Sequence, residues 1–337
     1  MSGPQSDAIA VVVPVLNDWA PAERLIRELD ALPALAGRRL LLLMVDDGSV
    51  PSPSIAALAN SATGAGVVAG IKLVQLASNL GHQRAIAAGL VEASRVDGIG
   101  QVVVMDADGE DRPDDVAALI AESDAHGEAI VLALRSRRSE GLGFRVGYAV
   151  YRLLFRLLTG NRIQFGNFCL IPRGFLNSLT HNPATWNNLA AAIMRSRLPT
   201  VAVPTERGER YGGRSKMNFL SLAVHGLSAI SVYIDITLIR VICAALTVGA
   251  VALGALAVVL WMKLFAGLAI PGWASTLGAS LLVLLFQALL FASVALFQFL
   301  SFRSMPTVIP ATHVPLLISG VFDVIPVARA DDDPPIA

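Results

Sequence analysis

Apolar residues follow two regimes along this chain. Up to about residue 135, short apolar runs alternate with segments of helical periodicity; beyond Val241 the apolar stretches become long and uncharged. Ala8 to Val13 is a run of small and β-branched residues closed by Pro14, the pattern of a strand buried on both faces. Pro21 then suits the first turn of a helix whose apolar face is Leu25, Ile26 and Leu29. Leu40–Val45, Ile71–Leu76, Gln101–Met105 and Ala129–Leu134 repeat the strand pattern, with helices predicted over about 82–95 and 114–125. Five alternations predict an α/β fold, a mostly parallel sheet with helices on both faces. Ligands of such sheets bind beyond the carboxyl ends of the strands, which is where the unusual polar clusters fall.

The second regime predicts membrane spans. No charged residue occurs from Val241 to Met262, nor from Leu264 to Phe302. About 20 helical residues cross a bilayer, so each stretch is long enough, and Pro271-Gly272 supplies a turn between two transmembrane helices. A hairpin with both ends on one side is expected. Phe144–Thr159 sets Arg145, Arg152 and Arg156 among bulky apolar residues; it either lies in the membrane interface or packs on the sheet. The expected order is a loose tail over 1–7, the α/β domain over 8–216, a juxtamembrane helix within 217–240, the hairpin over 241–302 and a cytoplasmic tail over 303–337. In that tail Asp331–Asp333 reads as solvated charge.

Composition agrees. Of 337 residues 54% are hydrophobic and 15% charged, too apolar for an ordinary soluble enzyme. The formal net charge is zero, so no overall field attracts nucleic acid, and none is expected as a partner. The two cysteines, Cys169 and Cys243, make no disulfide framework. No basic segment followed by an apolar core opens the chain, so the polar domain is expected to stay cytoplasmic. Arg240 and Arg303 at the hairpin's open ends, against Lys263 near its tip, agree with that orientation. Ala250 and Gly254 would permit close helix contact, which leaves a homo-oligomer open.

The strongest chemical cluster is Asp106-Ala107-Asp108 with Glu110 behind it. Carboxylates this close repel one another and call for a cation or for wide solvation. Hard oxygen ligands suit Mg²⁺ or Mn²⁺, which keep positions open for diphosphate oxygens; an acidic turn ahead of the next helix is the plainer alternative. Asp46-Asp47-Gly48-Ser49 and Pro14-Val15-Leu16-Asn17-Asp18 end two other strands, as ordinary turns or as contacts for a base or ribose. In Asn79-Leu80-Gly81-His82-Gln83-Arg84-Ala85, His82 reads more readily as a capping or solvent-facing residue than a catalytic one. Arg135 and Arg137 follow the fifth strand as surface ion pairs or phosphate contacts. Arg210-Tyr211-Gly212-Gly213-Arg214-Ser215-Lys216 combines cations with flexible glycines, as a phosphate-binding loop, a segment held by anionic headgroups, or both.

Together VPVLND (13–18), VDDGS (45–49), NLGHQRAIAAG (79–89), MDADGE (105–110) and RYGGRSK (210–216), followed by two spans, resemble family 2 glycosyltransferases of GT-A fold. The likeness is to the polyprenyl-phosphate glycosyltransferases similar to dolichol-phosphate mannose synthase, over roughly residues 8–302. It implies a nucleotide-sugar donor, UDP- or GDP-linked, a polyprenyl phosphate acceptor such as undecaprenyl phosphate, and a place in a bacterial inner membrane. It also implies that Pro14, Asp18 and Asp46, with Asn17, Asp47 and Ala107 beside them, line the nucleotide pocket. Asp106, Asp108 and Glu110 would hold Mg²⁺ or Mn²⁺, and Arg135, Arg210 and Lys216 would meet phosphates. Glu110 stands in place of a usual glutamine, and Asn167 lies where relatives often carry an aspartate. A processive polysaccharide synthase would want more spans and a Gln-x-x-Arg-Trp motif, absent here. A non-catalytic lipid-carrier scaffold would have no need of the carboxylates.

Overall fold

A computed structural model describes residues 8–135, 142–161, 165–212, 219–266 and 272–326. The tail over 1–7, Arg137, Lys216 with most of its loop, Pro271 and Asp331–Asp333 lie outside these described residues. The chain falls into two compact units, one gathering the described parts of 1–145, 163–232 and 308–337, the other 146–162 and 233–307.

The first unit opens with strand β1 (Ala8–Val15), helix α1 (Trp19–Asp30), β2 (Arg39–Asp46), the short α2 (Ile55–Ala59), β3 (Val68–Leu76), α3 (His82–Arg95), β4 (Ile99–Val104), α4 (Pro113–His126) and β5 (Ile130–Arg135). Helix α5 (Leu142–Thr159) runs into the second unit. The first unit resumes with β6 (Cys169–Pro172), α6 (Arg173–Thr180), α7 (Leu189–Ser196), β7 (Thr200–Thr205) and α8 (Phe219–Ser231). Helices α9 (Ile234–Trp261) and α10 (Trp273–Ser304) belong to the second unit, and α11 (Pro310–His313) and β8 (Ile318–Ile325) return to the first.

Among the described residues eight strands form one sheet in the order β7-β5-β6-β4-β1-β2-β3-β8. The β1–β2, β1–β4, β2–β3 and β5–β7 pairs are parallel, while β6 and β8 pair antiparallel with their neighbours. Successive residues of β1 and β2 feed opposite cores. Ala10, Val12, Leu41, Leu43 and Val45 pack with α3, α6 and α7, whereas Ile9, Val11, Val13, Leu40, Leu42 and Met44 pack with α1 and α4. Burial on both faces is why these strands are continuously apolar rather than alternating. Helix α3 approaches the sheet at Gly89, where a Cβ would stand 2.2 Å from Val12 Cγ1. The fold is the α/β one expected, a mostly parallel sheet flanked by helices, with two apolar helices toward the C-terminus.

The expected place of residues 318–325 is in a cytoplasmic tail over 303–337; the structure shows them as strand β8, hydrogen-bonded to β3, with Val74 opposite Val321 and Leu73 opposite Phe322. Val308, Val314 and Leu317 just before it, and Ile318 at its start, pack on the same core as α3. Burying these side chains and sealing the edge of β3 gives the segment a reason to fold back.

In the second unit, α9 with the π-helical turn that follows it and α10 carry mean hydropathies of 2.5 and 2.4 over their most apolar windows, of which only 11% and 17% is buried. Both are long and apolar enough to cross a membrane. Their apolar surface is turned outward, as at Phe286 (70% exposed) and Phe297 (69%), so they are not core helices of a soluble fold. The chain is a membrane protein. The two helices meet through small residues, Ala252, Ala288, Ala292 and Ala295 being buried, which permits close approach. A Cβ at Gly249 would touch Ala288 at 3.6 Å, whereas one at Gly254 would meet open space among the described residues. The described end of α5 is tied to the first of these helices. Phe155 is buried edge-on against Tyr233, and Arg240 donates to Leu157 O at 2.7 Å, satisfying a carbonyl at the helix end.

Candidate active site

The sheet order reverses at β1, which has β4 on one side and β2 on the other. The carboxyl ends of these three strands carry the acidic clusters, at the switch point where α/β sheets bind ligands.

The turn after β4 is braced from within. Met105 N–H donates to Val12 O on β1 (3.1 Å), Asp106 N–H donates to the buried Asp111 Oδ2 (3.0 Å), and Glu110 N–H donates to Asp108 Oδ1 (2.9 Å). Ala107 is buried. A second segment, Glu206–Gly212, lies along this turn. Gly208 N–H donates to Glu110 O at 3.0 Å and Tyr211 N–H to Asp108 O at 2.8 Å. Only hydrogen fits at Gly208, since a Cβ there would stand 2.1 Å from Gly109 O. The Tyr211 ring covers Gly109 and lies under the Arg24 guanidinium, 4.3 Å from the ring centroid. Its hydroxyl donates to Glu28, and burial, with that bond and the Glu28 charge, pushes the phenol pKa well above its ordinary range.

Two arginines of this segment meet the site carboxylates. Arg210 pairs with Asp108 Oδ2 and brings its Nε to 3.5 Å from Glu110 Oε1; Arg207 donates to the same Glu110 oxygen at 2.7 Å. Arg210, expected at a phosphate, thus lies on the acidic turn itself, and Arg207 joins it although its sequence context gave no sign.

On the other side of the turn stands His82, the first residue of α3, with Nε2 3.4 Å from Asp106 Oδ1. Asn167, just before β6, is 3.3 Å from the same ring nitrogen. Although 44% of the His82 side chain meets solvent, the protein around the ring desolvates it and lowers its pKa, against the pull of Asp111, Asp47 and Asp108. A helix-opening histidine with a capping explanation thus sits among the site residues.

The β2 turn is different. Asp46 and Asp47 are 3% and 2% exposed. Asp46 Oδ1 accepts Ser49 N–H at 2.8 Å. Asp47 accepts Leu80 N–H at 2.7 Å and Gly81 N–H at 3.0 Å, holding the loop that leads into α3. Burial raises the Asp47 pKa, opposed by these bonds. Asn17 stitches the β1 and β2 turns together: its N–H donates to Ser49 Oγ (2.9 Å) and its Oδ1 accepts Val50 N–H (2.7 Å), with its backbone at φ 57°. Pro14 is buried within β1 opposite Val45, Asp18 caps α1 through its backbone, and Arg135 ends β5.

Among the described residues no group of three or more His, Cys, Asp and Glu side chains is arranged to hold a metal ion. The donor chemistry nevertheless fits a hard divalent cation. Asp106 and Asp108 keep 35% and 21% of their side-chain surface open, and Mg²⁺ and Mn²⁺ take few protein carboxylates when phosphate and water complete the shell. Glu110 is drawn to Arg207 and Arg210.

The sequence profile of Glycosyl transferase family 2 matches residues 10–179, half of the chain and every strand that carries the acidic turns. The chain belongs to glycosyl transferase family 2. Undecaprenyl-phosphate 4-deoxy-4-formamido-L-arabinose transferase of Klebsiella pneumoniae is 29% identical over 226 residues, 65% of this chain and 65% of that protein. The chain thus spans slightly less than two thirds of the length of that relative. The protein of the same name from Salmonella gallinarum is 25% identical over 276 residues, 79% of each chain. Among solved structures, glucosyl-3-phosphoglycerate synthase from Mycobacterium tuberculosis, in complex with Mn²⁺, UDP and glucosyl-3-phosphoglycerate, is similar with a TM-score of 0.48 and 18% identity, over 68% of this chain and 80% of that one.

Proposed function

We propose that this family 2 glycosyltransferase moves a sugar from a nucleotide-sugar donor onto a polyprenyl phosphate, at the cytoplasmic face of the membrane that holds its hairpin. The observation that carries the reading is a conjunction in one chain. Open carboxylates end β4 at the switch point of the sheet, and two apolar helices follow. The relatives named for transfer to undecaprenyl phosphate support the acceptor class. Arg240 and Arg303 at the open ends of the hairpin support the orientation. Exposed Val150, Leu153, Leu154 and Leu157 on α5, interleaved with Arg152 and Arg156, support an interfacial placement of that helix.

The chemistry asks little proton transfer of the protein. A phosphomonoester has a second pKa of about 6, so the acceptor arrives largely as a dianionic nucleophile at neutral pH. Asn167 therefore needs no basic character. The protein's task is alignment of that oxygen with the anomeric carbon and stabilisation of the departing diphosphate. A divalent ion held by Asp106 and Asp108 would neutralise charge developing on the leaving group. Single in-line displacement inverts the anomeric centre.

The test is to incubate membranes bearing the chain with a panel of radiolabelled nucleotide sugars and undecaprenyl phosphate, then extract the lipid. Label from at least one donor is expected in the organic phase, lost with EDTA and restored by Mn²⁺ or Mg²⁺. Label left wholly in the aqueous phase for every UDP- and GDP-linked donor sinks the reading.

A further inference from the structure

The segment Glu206–Gly212 holds the acidic turn in two separable ways. Its backbone is fastened by the Gly208-to-Glu110 and Tyr211-to-Asp108 hydrogen bonds, and its tyrosine is anchored on Glu28 and Arg24. Its arginine side chains instead place positive charge on carboxylate oxygens. Asp108 Oδ1 is engaged by the Glu110 N–H, and Oδ2 is paired with Arg210. Any cation that draws on Asp108 must therefore contend with that guanidinium. Arg210 is also incompletely held, because its Nε is buried without an acceptor in hydrogen-bonding geometry, a costly arrangement for a charged donor.

We infer that Arg207 and Arg210 are a built-in counter-ion of the acidic turn that a divalent cation displaces, and that displacement turns Arg210 toward an anionic substrate. The inference rests on the proposed function for the presence of such a cation, and adds an order of events. Cation and donor load first, and the guanidinium they release then meets the acceptor's phosphate. The backbone bonds of Gly208 and Tyr211 remain in place; only side chains exchange. By linkage, the arginines weaken the cation by the same factor by which the cation loosens the arginines.

The experiment titrates Mn²⁺ alone into the full-length protein in detergent micelles, with free ion measured by electron paramagnetic resonance. Arg210→Ala and Arg210→Lys are each expected to bind Mn²⁺ roughly five- to tenfold more tightly than the parent. Lysine keeps the charge but loses the planar fork that reaches Asp108 and Glu110 together, so it separates exchange from a simple field effect. Mn²⁺ should also speed modification of Arg210 by phenylglyoxal, read by mass spectrometry of the Arg210 peptide. Unchanged or weaker affinity in Arg210→Lys, or protection of Arg210 by Mn²⁺, overturns the exchange. If the parent binds Mn²⁺, Asp108→Asn does not, and Arg210→Lys matches the parent, the cation reading stands and the exchange alone falls. If neither parent nor Arg210→Ala binds Mn²⁺, both fall.

Discussion

The turns after β2 and β4 look alike in sequence, an aspartate pair with a glycine behind it, yet their carboxylates meet different fates. Asp46 and Asp47 are almost fully enclosed, and backbone N–H groups of Ser49, Leu80 and Gly81 take up their oxygens. Asp106 and Asp108 stay partly open; His82 faces one, and Arg210 pairs with Oδ2 of the other, whose Oδ1 accepts the Glu110 N–H. A carboxylate bonded to main-chain amides cannot let go without opening the fold. One facing side chains can exchange partners at the cost of a rotamer. On the proposed function, the contrast separates scaffold from chemistry more clearly than the count of acidic residues does.

The largest effect that would test this contrast is at Asp108. Asp108→Asn keeps an oxygen for the Glu110 N–H, so stability should hold, while sugar transfer to lipid should fall about 10²- to 10³-fold. Transfer assays beside thermal unfolding would show it, and retained activity would break the comparison. At the β2 turn the order should reverse. Asp47→Ala strands the Leu80 and Gly81 N–H groups and should remove about 1–3 kcal/mol of stability in urea unfolding, with Mn²⁺ affinity of the folded protein near that of the parent. A collapse of affinity at unchanged stability would put Asp47 with the chemistry instead.

The smallest effect serves as a control, at Asp30 on α1, a buried carboxylate remote from both turns in sequence. Burial alone would raise its pKa. The Thr63 hydroxyl (2.6 Å), the Thr63 N–H (2.7 Å) and the Val68 N–H (3.0 Å) outweigh burial and leave the pKa lowered. A lowered folded pKa gives stability that is complete above the unfolded value of about 3.9 and lost as pH falls through the folded one. Asp30→Asn should therefore be less stable than the parent by about 1 kcal/mol at pH 7, and the gap should close below pH 4. A gap that persists in acid would mean that packing, not charge, is at stake.

What the sequence made legible follows the range of the interactions. β1 and β2 announce themselves because both faces are buried, and α3 was bounded correctly at His82 and Arg95. β7 alternates between half-buried and exposed positions and contains Pro204, tolerated because the strand lies at the sheet edge. β6 is four residues long, and β8 includes Gly320 and Asp323. None of these has a local pattern stronger than a loop. The site divides likewise. Asp106 and Asp108 were visible because their neighbours in sequence made them improbable as core. The partnership of Arg207 with Glu110, or of Asn167 with His82, joins residues 97 and 85 positions apart, which no short motif encodes.

The return of β8 to the sheet has a consequence for biogenesis. Its hydrogen bonds to β3 place the segments before and after both membrane passages in one compartment, so the number of crossings between them must be even. They also mean that a nascent chain leaves β3 unsealed until the second passage has been synthesised. Through that interval the bare strand is open to mispairing, and completion of the sheet has to wait on synthesis of both apolar helices.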